Sequence, residues 1–138
     1  MQFEDIKEGA ALPELEFPVT ASAIVAGALA TNDYENVHHD KAAAQATGVP
    51  DIFMNILTTN GLVQRYVGAW AGQSARVRNI KIKLGAPNFA GDVMRINGSV
   101  AHVDPATREV VVAVSGRNAI GEHVGATVTL HFPERNAA

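Results

Sequence analysis

Residues 55–70 read NILTTNGLVQRYVGAW. Apolar side chains recur at Ile56, Val63, Val67 and Trp70, and further ones stand at Leu57, Leu62 and Tyr66, so a helix here is apolar around most of its circumference. Such a helix is normally enclosed. Gly61 and the Thr58–Thr59 pair also make it a poor helix former by itself, so neighbouring elements must stabilise it. Something must wrap around it.

The C-terminal half supplies the wrapping. Residues 75–85 (ARVRNIKIKLG), 92–103 (DVMRINGSVAHV), 108–118 (REVVVAVSGRN) and 122–132 (EHVGATVTLHF) are strand-like runs rich in β-branched residues. The last alternates most cleanly: Val124, Ala126, Val128, Leu130 and Phe132 share one face, and His123, Gly125, Thr127, Thr129 and His131 share the other. DPAT at 104–107 joins the second and third runs as a hairpin. Upstream, ALPELEFPV at 11–19 carries two prolines among apolar residues and suits an extended arm or an edge strand. SAIVAGALA at 22–30 reads as a short helix, KAAAQATG at 41–48 as a helical turn or two stopped by Gly48, and Asp51 as a candidate cap for the next element. Helical elements early and an antiparallel sheet late describe one α+β domain, residues 1–138, with the sheet curled around a central helix.

At 138 residues the chain has room for one core. With 47% hydrophobic and 18% charged residues it has the composition of a globular protein, and no stretch is apolar for the roughly 18 residues a membrane span requires. The first residues, MQFEDIKEGA, lack the basic start and apolar run of a secretory signal, and cysteine is absent, so a cytoplasmic location is expected. A net charge of -3 and a pI near 5.9 give no electrostatic reason to expect a nucleic-acid partner.

Chemistry concentrates in TNDYENVHHD, residues 31–40, a polar run without regular periodicity. Asp33 and His38, four residues between them, can converge on one water as an acid/base pair. The bland alternative is an Asp that caps a turn. Asp40 either orients a neighbouring imidazole or caps the turn that follows. Metal binding is disfavoured, because adjacent ligands point apart and no further Cys or His completes a set.

This loop resembles the hydratase motif of MaoC-like proteins, in which Asp-x4-His is followed two residues later by a second Asp; Asp33, His38 and Asp40 all match. The family's usual Gly-Asp and Asn-Pro pairs are replaced by Asn32-Asp33 and Glu35-Asn36, so a different loop backbone is expected. GVPDIFMNILTTNGLVQRYV, WAGQSA, LGAPNFAGD and VSGRNAIGEHVGATV are similar to the small subunits of the actinobacterial heteromeric enoyl-CoA hydratases of steroid side-chain degradation. Met54-Asn55, where most relatives have His-Gly, belongs to that branch. The resemblance implies a hot-dog fold, hydration of a trans-2-enoyl-CoA by Asp33 and His38, no cofactor besides the coenzyme A of the substrate, and a larger MaoC-like partner subunit or a homodimer. It also implies that the thioester carbonyl sits against backbone N–H groups near Asn55 and Ile56, with Asp40 at the substrate.

Other residues read as structure. Arg76, Arg78, Lys81 and Lys83 either meet the phosphates of coenzyme A or form a solvated strand face. Arg117 and Asn118 line the cleft, line a subunit contact or satisfy local partners. Phe53, Tyr66 and Trp70 are expected in the core or an interface, and His102, His123 and His131 on strand faces. Two other readings remain open: a hot-dog thioesterase, against which the Asp-x4-His-x-Asp loop argues, and a non-catalytic acyl-CoA-binding or structural subunit, against which the intact Asp/His pair argues.

Overall fold

The computed structural model describes residues 1–134. After a 3-10 turn (Phe3–Asp5), strand β1 (Ala11–Val19) leads into helix α1 (Ala21–Ala30), a second 3-10 turn (Asn36–His38), helix α2 (Lys41–Ala46) and helix α3 (Ile56–Ala71), and strands β2 (Arg76–Leu84), β3 (Asp92–Asp104), β4 (Glu109–Arg117) and β5 (Glu122–His131) follow. The five strands form one antiparallel sheet in the order β1-β3-β4-β5-β2. Each expected strand and helix lies within two residues of its predicted limits.

ALPELEFPV becomes an edge strand, where proline costs least: its missing N–H is not needed on the outer side, and Pro13 falls within the register shift between Leu12 and Leu15. The opposite edge is β2, whose Arg76, Arg78, Lys81 and Lys83 are all exposed, as charged groups on an open edge should be. Inner-face residues of the sheet, Met94 and Ile96 of β3, Val110, Val112 and Val114 of β4, and Val124, Val128 and Leu130 of β5, are buried. Against them α3 lays one stripe, Thr59, Leu62, Val63, Tyr66, Val67 and Ala71. Removing a side chain such as Leu62 or Val63 from water contributes about 1.5–3 kcal/mol.

Enclosure of α3 holds for that stripe only. Ile56 and Leu57 are 50% and 49% exposed, and Gly61, Gln64, Arg65 and Ala69 are exposed as well, so within one chain the helix keeps an open side. The helix cap is also four residues later than expected. Asn55 accepts the Thr58 N–H through Oδ1 (3.1 Å), while Asp51 accepts from Ile52 N (2.8 Å) and pairs with Lys41 Nζ (3.1 Å). Thr20, unremarked in the sequence, caps α1 by accepting from Ala23 N at 3.0 Å.

Helix α1 crosses α3 so closely that a Cβ on Gly27 would collide with the Thr58 side chain, whereas one on Gly61 would meet nothing within 4 Å. Gly27→Ala is therefore expected to destabilise the chain by about 1–3 kcal/mol through overpacking, and Gly61→Ala to stabilise it by about 0.5–1 kcal/mol through helix propensity. Chemical denaturation of both variants checks this, and equal effects would contradict the close approach.

Candidate active site

The polar loop begins at the end of α1. Asn32 N–H donates to Leu29 O (3.2 Å) and Asp33 N–H to Ala28 O (2.9 Å), the paired bonds of a helix ended by a left-handed residue, and Asn32 is that residue, at φ 54°. Asparagine is the side chain that best tolerates a conformation glycine ordinarily supplies. The Asn32-Asp33 departure thus keeps a glycine-type turn, and Asp33 leaves the helix at a defined angle.

The chain next makes its 3-10 turn, closed by His38 N–H to Glu35 O (3.1 Å) and His39 N–H to Asn36 O (3.1 Å). His38 is thereby carried inside, 7% exposed. Its Nδ1 lies 2.7 Å from Phe53 O. A carbonyl can only accept, so Nδ1 carries the hydrogen and Nε2 of the neutral ring is a bare acceptor. The Phe53 ring packs edge-on against the imidazole, centroids 5.1 Å apart, which fixes the plane of the ring. Nε2 faces Asp33 Oδ2 at 3.4 Å.

Asp33 Oδ2 also accepts from Asn55 Nδ2 (2.9 Å), and Asp33 Oδ1 from Glu35 N (3.3 Å). The Asn55 bond is the main reason the Asp33 carboxyl is held below its ordinary value; partial burial opposes it, and the Glu35 amide and His38 add to it. With the imidazole neutral, Asp33 Oδ2 and His38 Nε2 are two acceptors aimed at the same small volume. Beside them, the backbone N–H groups of Asn55, Ile56 and Leu57 meet no acceptor among the described residues, as expected at a helix start. Exposed apolar side chains flank the site along the chain: Leu29 (57%), Tyr34 (63%), Ile56 and Leu57.

Of the residues singled out from sequence, Asp33, His38 and Asn55 come together, with Ile56 opening the helix beside them. Asp40 acts at the far end of the loop, where Oδ1 caps α2 by accepting from Ala43 N at 3.1 Å. Asn118 donates to Pro87 O (2.9 Å) and Asn88 Oδ1 (2.8 Å), a local structural role, and Arg117 is exposed. Phe53 meets His38 through both its carbonyl and its ring, a placement that its apolar character did not announce. Thr31, whose Oγ1 accepts the other Asn55 Nδ2 hydrogen at 2.9 Å, also gave no signal. Among the described residues no cluster of His, Cys, Asp and Glu is arranged to hold a metal ion, and no helix is long and apolar enough to cross a membrane.

Residues 3–121 match the MaoC like domain family. The chain belongs to this family. It is 49% identical over 122 residues, 88% of this chain and 93% of the relative, to the 3-oxo-4,17-pregnadiene-20-carboxyl-CoA hydratase beta subunit of Mycobacterium tuberculosis. A chain in the crystal structure of the ChsH1-ChsH2 complex from the same organism superposes with a TM-score of 0.89 at 47% identity, covering 92% of this chain and 98% of that one. The unliganded R-hydratase PhaJ1 from Pseudomonas aeruginosa, at 17% identity, shares the fold with a TM-score of 0.88 over 99% of this chain and 91% of its own. The five-stranded antiparallel sheet seated on α3 is thus the hot-dog arrangement of MaoC-like proteins.

One histidine of this MaoC-like domain lies on its expected strand, β5, but is buried there. His123, assigned to a strand face, is 2% exposed, with Nδ1–H donating to Ala86 O (2.6 Å) and Nε2 accepting from the Thr59 hydroxyl (2.8 Å), one helical turn beyond Asn55. Burial pushes its pKa below the ordinary 6.5, against the smaller upward pull of the Ala86 carbonyl. The unfolded chain therefore binds the extra proton first, and stability should fall as pH drops below about 6.5. His123→Leu leaves the Ala86 carbonyl unpaired and the Thr59 hydroxyl with only its 3.4 Å bond to Asn55 O, and should cost about 1–3 kcal/mol at neutral pH. Thermal unfolding from pH 7.5 to 5.5 should show a declining midpoint in the native chain and a flatter one in the variant; a flat native profile would contradict a buried neutral imidazole.

Proposed function

We propose that this chain is the catalytic subunit of an enoyl-CoA hydratase that adds water to a trans-2-enoyl thioester. The observation that carries the proposal is the pair of converging acceptors, Asp33 Oδ2 and His38 Nε2 at 3.4 Å, beside a helix start with free amides. A water donates one hydrogen to each acceptor, which leaves an oxygen lone pair directed at the substrate. The thioester carbonyl lies against the N–H groups of Asn55 and Ile56, where negative charge that develops on its oxygen is stabilised. The water oxygen bonds to the β carbon, the double-bond electrons move to the carbonyl oxygen, and the water proton passes to His38 Nε2. The lowered pKa of Asp33 makes its carboxylate the weaker proton acceptor, which leaves that role to His38. The resulting imidazolium is stabilised by Asp33 and by the Phe53 carbonyl, and it returns a proton to the α carbon to give the 3-hydroxyacyl thioester. Asp40 contributes by ending the loop at α2.

The substrate proposed is a steroid side-chain thioester, on the similarity to a subunit named for a pregnadiene carboxyl-CoA. No cofactor is required beyond the coenzyme A of the substrate, and residues 1–138 act as one domain. A larger MaoC-like subunit is the proposed partner, supported by the likeness to a beta subunit and to a chain of a two-component complex. The exposed Leu29, Tyr34, Ile56 and Leu57 around the site support it too: one chain leaves the reacting volume open to solvent, and a second subunit covers it. The setting proposed is the cytoplasm, in keeping with a sequence without cysteine.

Hydration is read as loss of the ultraviolet absorbance of a conjugated enoyl thioester, with a short straight-chain and a steroid side-chain substrate in parallel, for the chain alone and combined with its larger subunit. The combined enzyme is expected to consume the steroid thioester, and Asp33→Asn or His38→Ala to lower turnover by a factor of roughly 100 or more. Near-normal turnover in both variants would overturn the assignment. Release of free coenzyme A without a hydroxyacyl product would point instead to a thioesterase.

A further inference from the structure

We infer that the Asn55 side chain is a positioning residue for the proposed hydration, a single amide that caps α3 and also holds the Asp33 carboxylate in the orientation the water requires. The inference rests on the catalytic reading of Asp33 above. Asn55 is 2% exposed, and its amide is fully committed: Oδ1 accepts from Thr58 N (3.1 Å), and Nδ2 donates to Thr31 Oγ1 and Asp33 Oδ2, both at 2.9 Å. The chemistry fixes which end is which. A helix-start N–H needs an acceptor and a carboxylate needs a donor, so the amide cannot be turned over without losing both.

The consequence is a rigid link between two elements. Oδ1 is locked onto the first turn of α3, the amide is planar, and the donor to Asp33 therefore points in a direction set by the helix itself. The oxygen it reaches, Oδ2, is the one that faces His38 Nε2. By occupying one lone-pair direction of Oδ2, Asn55 leaves the remaining one for water. The free amides of Asn55 and Ile56 start from the same residue, so the carbonyl site and the water site share one anchor.

The surroundings leave Asn55 little competition. Helix α1 carries no charged side chain, and the first turn of α3 carries none. His38 is the titratable group facing Asp33, with the exposed Glu35, His39 and Asp40 further along the same loop. A residue that merely capped α3 would not need two amide hydrogens; Ser or Asp would serve the Thr58 N–H as well.

Asn55→Asp separates the two roles, because aspartate is nearly isosteric and an equally good cap but presents an acceptor to Asp33. In the complex with the larger subunit, the variant is expected to keep its KM and to melt at a lower temperature, because a second carboxylate at this buried position faces Asp33. Its kcat should fall roughly 10- to 100-fold, and the acidic limb of its pH profile should move up by about one unit or more, because two carboxylates now compete for protons. An unchanged kcat and acidic limb would reduce Asn55 to a cap. Asn55→Ser, which keeps a capping oxygen and loses the amide donors, is the second variant if Asn55→Asp does not fold, with the same outcomes. A carbon-13 titration of the Asp33 carboxyl in the full chain requires no turnover: Asn55→Ser should raise its midpoint, and an unmoved midpoint overturns the inference. A raised midpoint in a complex that hydrates no enoyl thioester would instead keep the positioning role and remove the hydratase reading.

Discussion

The seating of one stripe of α3 on the sheet is the constraint from which the rest follows. Thr59, Leu62, Val63, Tyr66, Val67 and Ala71 face the inner side chains of β3, β4 and β5, and this burial fixes the rotation of the helix about its axis. Once the rotation is fixed, the first turn has only one way to point. Asn55 turns toward the end of α1, where Thr31 and Asp33 await its two amide hydrogens. The His123–Thr59 bond reinforces this placement one turn further along, with a buried imidazole and hydroxyl satisfied by one another instead of by water. Packing and polar pairing thus act on the same turn of helix.

The site itself is held by backbone as much as by side chains. The Phe53 carbonyl assigns the tautomer of His38, the Glu35 amide steadies Asp33, and the left-handed Asn32 sets where the loop leaves α1. Two acceptors so close together would repel if nothing lay between them. In the proposed mechanism a water that donates to both relieves the conflict and is activated by it, so that arrangement and chemistry have one physical origin. The flank of the site is open, with apolar Leu29, Tyr34, Ile56 and Leu57 exposed, and in the proposed complex excluding solvent from the reacting volume and burying those side chains are one event.

The fold was legible in the sequence because its signals are local. Alternation in β5, β-branched runs in β3 and β4 and prolines in β1 mark strands from their own residues, and the period of α3 marks a helix. The apolar excess on α3 points to full enclosure, but periodicity does not distinguish a side covered by the sheet from one that stays exposed within the chain. Asp33 and His38 were legible through the resemblance of their loop to the MaoC-like motif, since their spacing alone leaves a turn-capping Asp33 open. Phe53, Thr31 and the buried state of His123 were not, because each depends on a residue far along the chain: the carbonyl of Phe53 matters only once His38 reaches it, and His123 is buried only because Thr59 and Ala86 close over it. Asp40, legible as part of the motif, acts in the fold through the α2 cap.

The central claim is that Asp33 and His38 act as a unit on one water. A double-mutant cycle on the hydration rate of the combined enzyme, with Asp33→Asn, His38→Ala and the pair together, tests it most directly. If both residues hold the same water, either substitution removes that water's activation, and the double variant should be no slower than the slower single one. Losses that multiply, with the double variant slower by the product of the two single effects, would mean that the residues act independently and would contradict the shared-water account.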